Sequence, residues 1–374
     1  MSSLEHELRA RLAADAEARL ERALTVTPES LVSFADNDYL GLARHPLLVD
    51  AAVSALREGR VGGGAARLIS GNFSHHQRLE ERLAVFKNSA AALVFPTGYA
   101  VPCGVIPALM MKPDFVVLDK LCHAALFDGA KLSGARRVIF QHNDANHLAE
   151  ILTEIRSRSA AAKILVVVES VYSMDGDLAP LTVICDLKDK FGAWLMVDEA
   201  HATGVFGADG QGLCAQRGVA SRVEIQMGTL GKALGVSGGY VACALTVRQY
   251  LLQHARSFIF TTAPPPCLAA ALTVALDIVS GAEGKCLRQK LWDNIALLNT
   301  LTLNRTNPAS PIIPLILGAA DAALSASARL RAAGLFVPAV RYPTVPRHAA
   351  RLRVTLSARH TREQIELLAK NLLI

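Results

Sequence analysis

Lys232 has the least ordinary surroundings of any lysine in this 374-residue chain. It lies in Gly228-Thr229-Leu230-Gly231-Lys232-Ala233, among small neighbours, directly after the β-rich run VEIQM. A solvated lysine usually keeps polar company. An amine set at a strand end among small residues is placed to bond a carbonyl or to move a proton. Other strand-like runs end in groups of comparable reach. FVVLD leads to Lys120-Leu121-Cys122-His123, KILVVVES to a polar turn carrying Ser173, and AWLMV to Asp198-Glu199-Ala200-His201. AALVF leads to Pro96-Thr97-Gly98-Tyr99 at the start of a helical stretch, where free backbone N–H groups suit an anion such as phosphate. Each signal alone is weak, because any tight turn wants glycine and a lone histidine is usually filler. Together they describe a site for a planar, anionic cofactor that carries a carbonyl. A lysine can capture such a carbonyl as a Schiff base, and a carboxylate can keep a pyridine nitrogen protonated.

These groups need a scaffold that brings strand ends together. From about residue 46 the chain alternates helical periodicity with short β-rich runs. Pro46–Glu58 and His76–Lys87 read as helices, and AALVF, FVVLD, RVIF, KILVVVES, AWLMVD, VEIQMG and GYVAC as strands. That alternation predicts an α/β fold with a large, mostly parallel sheet covered on both faces. In such sheets ligands bind outside the carboxyl ends of the strands, where the reactive residues above all fall. A change of pattern near TTAPPPC predicts a smaller C-terminal α+β domain. The expected divisions are a helical arm and short strand over 1–45, a large domain over 46–268 and a small domain over 269–374.

Composition narrows the function classes. Apolar residues are 51% of the chain, enough for a sizeable core, and charged residues 19%. The net charge of +6 is spread along the chain, which argues against a nucleic-acid footprint. Seven cysteines without a C-x-x-C predict core residues in a reducing compartment, with neither disulfides nor a metal site. No apolar run reaches membrane-spanning length, so a soluble, cytoplasmic protein is expected. Three motif matches fail on context. Gly235-Val236-Ser237-Gly238-Gly239 fits a hydrolase elbow but is followed by a strand-like run where the elbow needs a helix. Asp198–His201 spells a helicase word, yet no phosphate-binding G-x-x-x-x-G-K-[ST] loop exists. Gly62-Gly63-Gly64 follows no strand.

Read as a whole, the chain resembles the α-oxoamine synthases, which are fold-type I enzymes dependent on pyridoxal 5'-phosphate (PLP). The resemblance runs through NDYLGL at 37–42, RLISGN at 67–72, FPTGY at 95–99, ESVYSMDGD at 169–177, DEAHATG at 198–204, GTLGKALG at 228–235, FIFTTAPPP at 258–266 and ARLRVTLSA at 350–358. It implies a fold-type I PLP-dependent transferase built as a homodimer. Lys232 would hold the cofactor and later move the substrate's Cα proton. Asp198 would pair with the ring nitrogen, His123 would stack on the ring, and His201 and Ser173 would contact its oxygen side. Thr97, Gly98, Tyr99 and Thr229 would hold the phosphate, joined by Thr262 of a second subunit. Arg353, Asn37 and Arg22 would contact substrate.

Within the family, the short arm and the GTLGKALG form favour the member that condenses L-alanine with a pimeloyl thioester of coenzyme A or acyl carrier protein. The alternatives use glycine or serine. One departure bears on that choice. The family's usual Ser or Thr before the arginine of RLISGN is Ala66 here.

Overall fold

A computed structural model describes residues 2–17, 20, 21, 24, 26, 29–303, 306 and 308–372. Twelve strands are present among them: β1 (Val32–Ser33), β2 (Ala91–Phe95), β3 (Phe115–Asp119), β4 (Arg136–Phe140), β5 (Ile164–Glu169), β6 (Trp194–Asp198), β7 (Ile225–Thr229), β8 (Gly239–Cys243), β9 (Ile312–Gly318), β10 (Leu335–Phe336), β11 (Ala339–Val340) and β12 (Ala350–Thr355).

Seven of them form one sheet in the order β2-β8-β7-β6-β5-β3-β4. Pairing is parallel from β7 through β6, β5 and β3 to β4, whereas β8 runs antiparallel to both β7 and β2. β2 therefore points the same way as β7, and six strands end on one edge. The sequence explains the layering. Strands β2, β5 and β8 are buried at every position, so both faces must be covered. Crossover helices such as Ala100–Leu109, Ala124–Ser133, Ala145–Arg158 and Leu181–Lys190 supply that cover. The core between sheet and helices includes Leu93, Phe95, Val105, Leu118, Val167, Met196, Met227 and Phe258, with Phe95 and Phe258 meeting edge to face at 5.7 Å.

The chain divides into two compact units. The larger is residues 36–313 with 355–366; the smaller is 1–35, 314–354 and 367–374. This differs from the expected boundary at 268/269. Residues 269–313 stay with the larger unit because the apolar helix Pro266–Ser280 packs on the helices Pro46–Arg57 and Ser74–Phe86. The stretch after TTAPPPC forms two helices, Pro266–Ser280 and Ala282–Leu301, bent by 70° at Gly281. In the smaller unit β1 pairs in parallel with β10, and β11, β12 and β9 form a three-stranded sheet beside the helix Ala320–Ala332. The arm is helical over Ser3–Glu17 and buries none of its residues. Among the described residues no single helix is long and apolar enough to cross a membrane.

Candidate active site

Strands β3, β5, β6 and β7 are neighbours in the sheet, and each delivers a side chain at its carboxyl end. The same turns close the backbone. His123 Nδ1 accepts the N–H of Ala125 at 3.2 Å and so caps the helix Ala124–Ser133. Asp198 Oδ1 accepts the N–H of Ala200 at 2.8 Å. The residue after Asp198 turns the other way: Glu199 is fully buried and forms an ion pair with Lys87, while taking the N–H of Cys214 at 2.8 Å. Neighbouring carboxylates thus have opposite jobs, one bracing the fold and one facing a cavity.

That cavity, about 200 Å³, is lined by Gly98, His123, Glu169, Asp198, His201, Thr229 and Lys232, with Tyr99 and Met227. Lys232 Nζ lies 2.6 Å from His201 Nε2, and His201 Nδ1 lies 2.7 Å from the Tyr39 hydroxyl. The Tyr39 hydroxyl in turn donates to Asn37 Oδ1 at 3.1 Å. Electrostatics sharpen the picture. Burial pushes the Asp198 carboxyl above the ordinary carboxylate range, while the Lys232 cation pulls it back. Burial first, and then the charge of Asp198, raise Glu169 to about 8. His123 is held below its ordinary value by burial and by Lys232, against the pull of Asp198.

The donor set suits PLP. The cavity holds an amine for a carbonyl and a buried carboxylate for a ring nitrogen. Among the described residues, Glu169 Oε1 is buried without a hydrogen-bond partner. Backbone comes close at the phosphate end, where a methyl group added at Gly98 would lie 3.3 Å from the Thr229 side chain. Gly98 and Tyr99 open the helix Ala100–Leu109, whose free N–H groups favour an anion.

Not every expected residue lines the cavity. Thr97 is exposed, its hydroxyl accepting the N–H of Ala100 at 3.1 Å. Ser173 is buried on the turn after β5, where its N–H donates to Glu169 at 3.2 Å. Thr262 is exposed and forms an isolated bridge to Ala66, the position where the motif departs from its usual form. Arg353 is buried on β12 of the smaller unit. Arg22 lies outside the described residues. Two groups of the site were absent from the sequence reading. Glu169, which lines the cavity, stands at the very end of β5, a position that could have flagged it, and Tyr39, which reaches the cavity's His201 from behind, lies inside the quoted NDYLGL run. A second cavity of about 360 Å³ is lined by Arg67, Glu80 and Arg248 among others, but these charges already pair with one another at 3.0 and 3.1 Å.

Residues 29–372 match the aminotransferase class I and II family. The 8-amino-7-oxononanoate synthase of Geobacter sulfurreducens (strain ATCC 51573 / DSM 12127 / PCA) is 46% identical over 340 residues, covering 90% of this chain and 86% of that protein. A serine palmitoyltransferase variant from S. paucimobilis, solved with a bound PLP–myriocin aldimine, superposes with a TM-score of 0.90 at 28% identity, covering 99% of this chain and 97% of its own. The 8-amino-7-oxononanoate synthase of Francisella tularensis superposes with a TM-score of 0.77 at 27% identity, covering 92% and 99%.

Proposed function

Because this chain belongs to the aminotransferase class I and II family, we propose that it acts as an 8-amino-7-oxononanoate synthase of the biotin pathway. In that reaction L-alanine and a pimeloyl thioester give 8-amino-7-oxononanoate, carbon dioxide and the free thiol of coenzyme A or acyl carrier protein. The cofactor is pyridoxal 5'-phosphate. When bound, it supplies a carbonyl for an amine and an aromatic ring that takes up electron density from the substrate's Cα.

The chain's residues divide the remaining work. Lys232 Nζ takes the Cα proton of the amino acid and returns one after carbon dioxide has left. Asp198 holds a proton on the ring nitrogen. Its burial makes that charge pair strong, because little water competes for it. His123 would stack on the ring, and Gly98, Tyr99 and Thr229 would hold the phosphate. His201 orients Lys232 and would contact the oxygen side of the ring, with Ser173 behind Glu169. A homodimer would let Thr262 of one subunit reach the phosphate of the other. Arg353 is suited to grip the amino acid's carboxylate, since a guanidinium offers a planar two-point fork. Asn37 and Arg22 are assigned to the substrate by motif alone.

One observation carries most of this reading: an amine 2.6 Å from an imidazole, in a cavity that also holds a buried carboxylate and a second imidazole. The test uses purified protein, PLP, a panel of amino acids and pimeloyl thioesters of both carriers, with free thiol measured. Thiol release with alanine is the expected result. Ala66 and the likeness to a serine palmitoyltransferase favour one second reading, an α-oxoamine synthase that uses serine or glycine. Alanine inert and serine or glycine active would replace the first reading with it.

A further inference from the structure

His201 is contacted through both ring nitrogens, and its neighbours are polar in one direction. At one end Lys232, as an ammonium, has only N–H donors, so at 2.6 Å His201 Nε2 must offer it a lone pair. At the other end Asn37 Oδ1 can only accept, and it takes the single proton of the Tyr39 hydroxyl at 3.1 Å. The Tyr39 oxygen can then only accept from His201, whose Nδ1 lies 2.7 Å away. Both ends therefore demand the same ring form: a neutral imidazole with its proton on Nδ1.

The loop that carries Tyr39 is held firmly. Tyr39 is 1% exposed. Its carbonyl accepts the N–H of Ala358 at 2.8 Å, and the carbonyl of Asp38 accepts the Ser357 hydroxyl at 2.7 Å. Asp38 also caps the turn at Leu42 through a 2.8 Å bond. The backbone of Leu42 and Ala43 packs against Gly235, where a methyl group would come within 2.5 Å of the Ala43 nitrogen. Gly204 similarly allows Ala233 to approach, with a Cβ there falling 2.7 Å from the Ala233 methyl. The loops bearing Tyr39, His201 and Lys232 are thus locked to one another by direct contact, all within the larger unit.

We propose that Tyr39 is a positioning residue that fixes His201 in the Nδ1–H form, so that Nε2 is the first acceptor for the proton of Lys232. The inference rests on Lys232 being the reacting amine. In the transfer one Nζ–H bond breaks and its electron pair stays on nitrogen. An Nε2–H bond forms, and the positive charge moves from ammonium to imidazolium. Tyr39 gives up nothing; its oxygen goes on accepting from Nδ1–H and so holds the imidazolium in place. Lys232 is left as a neutral amine, able to take a proton from substrate.

The test is nitrogen-15 spectroscopy of histidine-labelled protein, with and without PLP, alongside steady-state kinetics. Wild-type protein should show His201 protonated on Nδ1 in both states, because the Asn37–Tyr39 end acts whatever Lys232 is bonded to. Tyr39→Phe should give a mixture of the two ring forms. It should lower kcat roughly 10-fold, near the low end for a displaced proton acceptor, with the amino acid's KM changed by less than about two-fold. Asn37→Leu frees the tyrosine proton and should move His201 toward the Nε2–H form, whereas Asn37→Asp keeps an acceptor and should retain the wild-type signal. An Nε2–H ring in wild-type protein would overturn the proposal, as would a Tyr39→Phe protein with unchanged ring form and kcat. Should the ring form come out as expected while no thiol is released from any substrate, the proposed reaction falls and the ring assignment stands. Thiol release with an Nε2–H ring sinks the ring assignment alone.

Discussion

Two histidines near the strand ends show how the same side chain is put to different uses. His142 is clamped between two carboxylates, with Nδ1 2.9 Å from Asp119 and Nε2 2.7 Å from Asp177, and its ring meets Tyr172 edge to face at 4.4 Å. These acids overcome the cost of burial and push its pKa up to about 10. His142 is therefore a fixed cation that ties the end of β3 to the turn after β5. His201 meets a phenol and an amine at its two nitrogens. An imidazole between two carboxylates is locked in one charge state; one between a phenol and an amine is set to exchange a proton. The first braces the strand ends, and the second is placed for the proton transfer proposed above.

This contrast can be broken in several ways. The largest effect is expected at Lys232. Lys232→Ala should lower thiol release by roughly 10⁴-fold, since both the covalent and the proton-moving amine are lost, while the melting temperature of the cofactor-free protein barely changes. Residual turnover near wild type would remove the chemical half of the comparison. On the bracing side, Asp119→Ala should act oppositely. It deletes the acceptor for the N–H groups of Leu121 and Asn143, both 2.8 Å away, and half the clamp on His142. A loss of about 3 kcal/mol in chemical denaturation is expected, with kcat reduced far less than in Lys232→Ala.

A smaller effect, about 1–2 kcal/mol, is expected for His142→Gln, because the ring is partly screened by solvent. Its sign depends on pH. The folded-state pKa lies above the unfolded value, so the cation's contribution is fully present below about 6.5 and fades as the pH rises through about 10. Wild type and variant should converge at high pH; a constant gap would show that packing, not charge, is what His142 provides. His76 gives the mirror image. Burial and the nearby Arg67 hold it down at about 4, and its Nε2 lies 2.9 Å from the Pro264 carbonyl. Unfolding there takes up a proton, so stability should fall between pH 6.5 and 4 by at most about 1.4 kcal/mol per pH unit from this group. That acid-side slope should be lost in His76→Gln.

Much of the architecture was legible because local pattern determines it. Continuous apolar runs such as KILVVVES can only be strands covered on both faces, and the same runs mark where strands end. Lys232, Asp198, His123 and His201 stood out for that reason, and the cavity contains all four. The expected boundary at 268/269 differs from the division by contacts because the pattern change at TTAPPPC marks a change of element. Which unit the helix Pro266–Ser280 joins depends on its contacts with two helices some 200 residues earlier.

The sequence by itself determined which reactive groups follow which strands, since that is a property of neighbouring residues. Only the tertiary structure decided which of those strands lie side by side, because strand order depends on crossovers and not on local pattern. It also decided what each group does. Adjacent Asp198 and Glu199 part company, one facing the cavity and one paired with Lys87, because successive residues at a strand end point to opposite sides. Tyr39 joined the site for the same kind of reason. Its hydroxyl is 162 residues from His201 along the chain and 2.7 Å from it in space.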